Sequence, residues 1–297
     1  MTTPSRPISP CVGVCELDEV SGYCLGCART GDEIAGWSRA DEAERQAIWA
    51  ALPARFEALG VTCRRLAWDI ERIRRFTAEG LGQGRRMAVL GVVGALGEFM
   101  PRPDAPVAVH LEGSVLIART EGAALRLRLE DTTRALAFSN ADPADGKEPI
   151  ALVVPRQRWA VPAVSVLTAL GPDREAITED GLAGLLFDLG LGRQEARFLV
   201  RIADEHSREV MEAHLGTPLL EALPKIGPML VRTSPPRVIE TPLGRVEIAT
   251  SIPPPGGKSP NGPHTHLLPA YLASGRTMPA GMNIPESYLP GTILYPV

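Results

Sequence analysis

Lysine is nearly missing from this chain. Lys147, Lys225 and Lys258 are the only lysines among 31 basic residues, so almost all positive charge is arginine, and 35 acidic residues leave a net charge of -4. Abundant arginine and alanine with little lysine is the mark of GC-rich coding sequence, and a net negative charge argues against the phosphate contacts that dominate nucleic-acid affinity. No nucleic-acid binding is expected. Long apolar runs are missing as well: none reaches the length needed to span a bilayer, and Met1 to Pro10 holds no apolar core of the kind a secretory signal requires. No membrane association is expected, and the cytoplasm is the expected location. Low-complexity tracts are absent, and 44% hydrophobic residues over 297 positions are enough for one small domain and one larger globular one. Nucleophile and nucleotide motifs are missing too. There is no G-x-S-x-G, no P-loop and no H-E-x-x-H; Gly91, Gly94 and Gly97 follow G-x-x-G-x-x-G, which departs from the dinucleotide fingerprint and reads better as close packing of backbone.

Cysteine is scarce but concentrated. Four of the five, Cys11, Cys15, Cys24 and Cys27, lie in the pattern C-x3-C-x8-C-x2-C. Two close pairs separated by a short excursion are what a tetrahedral thiolate cage needs, each pair wrapping one side of an ion. Gly13 and Gly26, inside the pairs, let amide N–H groups turn toward the sulfurs. A segment this short buries little apolar surface, and a structural metal supplies binding energy on the order of 10 kcal/mol in place of a core. The four sulfurs are expected within about 4 Å of one another, the edge of a tetrahedron with metal–sulfur bonds near 2.3 Å. The pair spacing suits zinc and does not match the common iron–sulfur spacings. Two disulfides would instead require an oxidising compartment. Cys63 stands apart after Thr62; it is expected as a small buried residue, the alternative being a thiol at a helix N-terminus.

The residues around the cysteines carry a resemblance. Cys11-Val-Gly-Val-Cys15-Glu-Leu-Asp18, Gly22-Tyr-Cys24-Leu-Gly-Cys27-Ala-Arg29-Thr30, Glu33-Ile34 and Trp37 resemble the small bacterial four-cysteine family called domain of unknown function 1289 over about the first 55 residues. That family is described as predicted iron–sulfur protein. The resemblance implies a metal and no activity, so one zinc ion and one iron–sulfur cluster both stay open as the cofactor. Residues 1–60, expected as a four-cysteine module with a helical extension, carry nine acidic residues against five basic ones.

The rest of the chain, 61–297, reads as one α+β domain. Ser38 and Asp41 start a helical connector that Pro53 is expected to break or offset. A second helix is expected from Thr62 to Glu79, with Leu66, Ile70, Ile73 and Phe76 on its apolar face and Arg64, Arg65, Arg72, Arg74 and Arg75 opposite. That arginine stripe is a solvated face or a docking face for the acidic module. Met87 to Leu96 reads as a buried strand or a strand-to-helix passage. Strand-like runs at 107–111, 114–119, 123–129, 135–139 and 150–154, and 237–240 followed by 245–250, are joined in part by Glu112-Gly113, Glu121-Gly122 and Thr241-Pro-Leu-Gly244. Consecutive hairpins imply a mainly antiparallel sheet with flanking helices. Asp204 is placed to cap a helix ending at Gly216.

The tail holds a second cluster, Ser259-Pro-Asn-Gly-Pro-His264-Thr-His266-Leu-Leu-Pro269, read as a rigid proline-rich binding loop. In extended backbone His264 and His266 face the same way and could share one ion or anion. A third ligand is not local; Asp188, Glu98, Glu247, His206 and His214 are the candidates, with Arg276 as an anion contact. The simpler reading is that the rings hydrogen-bond loop carbonyls. This region is similar to uncharacterised bacterial proteins sharing the H-T-H-L-L-P segment, which implies no reaction. No feature assigns catalysis. The composite reading is a cytosolic metal-binding accessory or interaction protein, with a protein or small-molecule partner. The alternative is a metal-dependent enzyme centred on His264 and His266, which requires a carboxylate or third histidine beside them.

Overall fold

A computed structural model describes residues 8–61, 63–92, 94–138, 148–156, 164–178, 184–192, 196–267 and 283–297. The N-terminal part is built on a short knuckle. Asp18 accepts from the backbone N–H and hydroxyl of Ser21, both at 2.7 Å, and antiparallel bridges pair Leu17 with Cys24 and Tyr23 with Thr30. Two helices follow, α1 (Gly31–Gly36) and α2 (Glu42–Leu59), each opened by a reciprocal capping box, Thr30 with Glu33 and Asp41 with Glu44. Contrary to the expected break, α2 runs through Pro53 and stops at Gly60, whose φ of +63° is the left-handed geometry of a helix end. Arg55 clamps α2 to α1 by a bidentate pair with Glu33, at 2.6 and 3.0 Å. Ala28, Leu52 and Phe56 form a small apolar cluster, so this part has a core of its own in addition to its cysteines.

Beyond it every strand pairing among the described residues is antiparallel. One sheet has seven strands: β1 (Arg64–Arg65), β2 (Arg86–Val92), β3 (Ala95–Phe99), β7 (Arg134–Ala137), β8 (Ile150–Pro155), β14 (His264–Leu267) and β15 (Tyr288–Pro296), in the order β1-β7-β8-β15-β2-β3-β14. The other has eight: β4 (Ala108–Glu112), β5 (Val115–Thr120), β6 (Ala123–Arg128), β9 (Thr168–Pro172), β10 (Leu185–Asp188), β11 (Arg197–Ile202), β12 (Arg237–Glu240) and β13 (Gly244–Ile248), in the order β4-β5-β6-β13-β12-β11-β10-β9. The expected antiparallel sheet is thus realised as two. Their inner faces share one core that includes Leu90 and Phe99 from the first sheet and Leu125, Phe198, Ile239 and Val246 from the second. Gly97 sits where the layers meet: a Cβ there would lie 2.6 Å from Ile239, so the glycine serves close packing, as the sequence pattern suggests.

Three helices add to that core. Helix α3 (Ile70–Gly82) is capped by Asp69 and buries Ile73, Thr77 and Leu81. It starts later than expected, because Arg64 and Arg65 pair with β7 as strand β1. The stripe divides: Arg74 bonds the Leu129 carbonyl and Glu71 and Arg72 stacks over Trp68, whereas Arg65, on β1, reaches the module at the Cys11 carbonyl. Helix α4 (Glu205–Glu212) is capped by Asp204 as expected. Helix α5 (Leu219–Thr233) was not anticipated, since it contains Pro224 and Pro228. Among the described residues no helix is long and apolar enough to cross a membrane.

Candidate functional site

The four clustered cysteines are free thiols. Cys24 and Cys27 are buried, Cys11 is half-buried and Cys15 is exposed. Two of them accept hydrogen bonds at sulfur, whereas the Cys24 thiol donates to the Val14 carbonyl over 3.1 Å. Gly13, at φ +84°, aims its N–H at Cys11 Sγ over 3.4 Å, and the buried Arg29 aims Nε at Cys27 Sγ over 3.4 Å while its guanidinium lies 4.8 Å from the Trp37 ring centre. Burial pushes the Cys27 thiol up, and the Arg29 hydrogen bond and charge oppose that shift. Two donors on sulfur, one of them cationic, suit thiolates bound to a metal, so the donor set fits a zinc ion or a cluster. The expected closure within about 4 Å is not reached: the cysteines contribute no set of three ligand atoms within 4.8 Å of one another. Cys63 is half-buried against the Val12 cluster and outside any helix, and burial raises its thiol to about 12.

The first cysteine pair is joined to the larger domain. The Cys11 carbonyl accepts from Arg65 over 3.2 Å and from the Tyr288 hydroxyl over 3.4 Å, and Ser287 donates to the Val12 carbonyl. Val12 itself is buried in a cluster with Leu136, Ala151, Val153, Tyr288 and Ile293. This is the outer face of the seven-stranded sheet, because Ile150, Leu152, Leu289 and Leu294 on alternate positions face the shared core.

On the same face lies a second set. Glu98, His264 and His266 place their ligand atoms within 4.8 Å of one another, the one such group of three or more among the described residues. The expected loop around the histidines is instead strand β14, at the end of the sheet, and the register explains the grouping. His264 pairs with Glu98 and His266 with Leu96, so the histidines share Glu98's face, while Thr265 pairs with Gly97 on the other face. Arg237 from the opposite sheet donates to Thr265 over 3.3 Å, holding the edge strand from behind.

The two Nε2 atoms are 2.7 Å apart; Glu98 Oε2 is 3.5 Å from that of His264, and Oε1 is 3.7 Å from that of His266. His264 Nδ1 lies 2.7 Å from the Gly262 carbonyl. A carbonyl only accepts, so Nδ1 carries a proton, and in the neutral ring Nε2 keeps its lone pair. Both readings of the tail are thus partly present: one ring nitrogen is a loop fastener and the other faces the carboxylate. Burial, then the neighbouring His264, lower the His266 pKa, and Glu98 opposes them.

The remaining candidates lie elsewhere. Glu247 is buried on the other sheet between Arg201 and Arg245. Asp188 sits 3.8 Å from Arg197, and His214, just past the end of α4, bonds the Val210 carbonyl in that helix. Arg276 lies outside the described residues. Only the register of β14 selects Glu98, which sequence spacing could not reveal.

Two family models match separate parts of the chain. The model of a family of unknown function, DUF6925, matches residues 72–297, and that of a second, DUF1289, a protein family also of unknown function, matches residues 9–56. Relatives named Uncharacterized protein YdhL, from Escherichia coli K12 and from Shigella flexneri, are each 42% identical over 40 residues, 14% of this chain and 49% of theirs. The chain thus spans about half the length of the curated relatives it matches. No solved structure matches.

Proposed function

The chain belongs to the DUF6925 family, whose function is unknown, and from that premise we propose that it is a cytoplasmic metal-binding accessory protein. Its four-cysteine module holds one zinc ion or one iron–sulfur cluster, and its β-sandwich recognises a protein partner or a small molecule. The observation that carries this reading is the pair of N–H donors aimed at sulfur, Arg29 at Cys27 and Gly13 at Cys11, within a run of four reduced cysteines. Hydrogen bonds of this kind stabilise thiolate ligands and leave a neutral thiol little to gain. The sulfurs need the ion itself to close around it, as in sites where binding and local folding are coupled. Nucleic acid is not a proposed partner, because the module that would approach it is acidic.

Purification without oxygen, followed by metal analysis and a visible spectrum, tests the reading. Zinc at one equivalent without colour, or iron with acid-labile sulfide and visible charge-transfer bands, is the expected result. Serine at Cys11, Cys15, Cys24 or Cys27 should remove that metal. Full metal content in all four single variants would overturn the assignment.

A further inference from the structure

We propose that Glu98, His264 and His266 form a second metal site, for a divalent transition-metal ion, with coordination positions left open to an outside ligand. It is independent of the cysteine centre and goes beyond the accessory reading above.

The argument begins with protons. The Gly262 carbonyl holds a proton on His264 Nδ1, so in the neutral ring Nε2 offers a lone pair toward His266 Nε2 at 2.7 Å. With both rings neutral, the single proton of His266 can occupy that contact, and the two oxygens of Glu98 then face the pair at 3.5 and 3.7 Å with no proton to accept. One lone pair and a carboxylate converge on a space that holds at most one shared hydrogen. A divalent cation satisfies all three groups at once, and as it binds the shared proton moves from the Nε2 contact to His266 Nδ1, leaving both rings neutral.

Backbone geometry prepares the site. Glu98 and His264 are direct cross-strand partners and His266 follows two residues on, so a sheet, and not a loop, sets all three directions. The outer contact that orients His264 depends on Gly262: its φ is +120°, and a Cβ there would lie 2.6 Å from Arg102. An imidazole whose far nitrogen donates to a backbone carbonyl is the usual support of a metal-ligating histidine. Exposure is graded across the set, with side chains 8% exposed at His264, 19% at Glu98 and 33% at His266. The ion would be anchored at its buried side and reachable beside His266.

The ligand types choose the ion. Two imidazoles and one carboxylate suit zinc and ferrous iron, whereas magnesium and calcium prefer all-oxygen shells. Three protein ligands are one fewer than a closed structural zinc site uses, and such open sites polarise a bound oxygen ligand or activate water. The class of ligand that fits is therefore a small molecule presenting a carbonyl, carboxylate or water oxygen to the ion.

Cobalt(II) titration of the full-length, metal-depleted protein under anaerobic, reducing conditions is the test. Bound thiolates give intense near-ultraviolet charge-transfer bands, and a nitrogen–oxygen site gives only weak visible bands, so the two centres are read separately. The expected result is one equivalent of cobalt without thiolate absorption, lost in Glu98→Gln and in His266→Ala while the thiolate bands stay. Gly262→Ala should weaken that equivalent by about 10- to 100-fold, the usual loss when the support of a ligand is disturbed. Wild-type protein that binds no cobalt beyond the thiolate centre would overturn the site, as would variants that retain full affinity. If Glu98→Gln and His266→Ala lower only the melting temperature and leave metal stoichiometry intact, the cluster is a fastener and the proposal fails. Loss of the thiolate bands alone would refute the cysteine centre and leave this site standing.

Discussion

Asp173 and Glu247 are buried acids that face two buried arginines on the outer side of the eight-stranded sheet. Arg201 reaches Asp173 at 2.6 Å and Glu247 at 2.7 Å; Arg245 bonds both acids, and Glu240 at 2.7 Å. Burial alone would raise the Glu247 pKa, but Arg201 and Arg245 hold it below the ordinary 4.5. A carboxyl with a depressed folded pKa contributes stability that is complete above its unfolded value and disappears as pH falls through the folded one. Glu247→Gln is therefore expected to flatten the acid limb of stability below about pH 4.5. It should also cost about 3–5 kcal/mol at neutral pH, because removing one partner leaves buried charge uncompensated. Urea unfolding at pH 7 and again below the carboxylate range checks both, and equal stability of variant and wild type at pH 7 would contradict the account. Residue types alone were silent on this network. Asp173 and Arg201 are 28 positions apart, and only strand pairing shows which acid meets which arginine.

Elements whose ends carry their own chemistry were legible. Glu121-Gly122 forms the β5–β6 turn, and the β4–β5 turn falls one residue later than expected, on Gly113-Ser114, with φ of +57° at Gly113 and +74° at Gly122. Asp204 caps α4 as its sequence suggests. Proline was the misleading signal. Pro53, Pro224 and Pro228 all lie inside helices, each removing a hydrogen bond, yet α5 buries Leu219, Ala222, Ile226, Met229 and Leu230 in the core. Packing of that face outweighs the lost bonds. The histidine tail misled in the opposite direction, since proline around it suggested a loop while β3 offered a free edge to pair with. Local capping remains a measurable contribution in α2, where the Asp41 side chain accepts from Glu44 N–H at 2.8 Å and Glu44 returns the bond at 2.7 Å. Asp41→Ala should destabilise α2 by about 1 kcal/mol, read as a lower melting temperature by far-ultraviolet circular dichroism. No shift would mean that the exposed cap is replaced by water without loss.

Across the whole molecule, the cysteine module and the edge-strand site occupy the same face of one sheet. A single cross-strand row runs Arg65, Leu136, Ala151, Ile293, Val89, Glu98 and His264. From Ile293, which packs with Val12, to His264 is three strand spacings, about 14 Å at roughly 4.8 Å each. Losing the cysteine metal should therefore reach beyond the module. In Cys15→Ser, freed Val12 would uncover Tyr288 and Ile293, and amide exchange across residues 287–293 should quicken while α5 keeps its protection. Unchanged exchange there would show that Val12 docks without help from the metal. Composition, turn chemistry and cysteine spacing by themselves determined an α+β chain with a cysteine-rich module at its start, because those signals act between residues a few positions apart. Only the tertiary structure decided that the hairpins form two stacked sheets, that Val12 seals one outer face, and that Glu98 joins two histidines more than 160 positions away. Those outcomes depend on which strand edges meet, and strand pairing is settled by burial of whole faces, which no local spacing encodes.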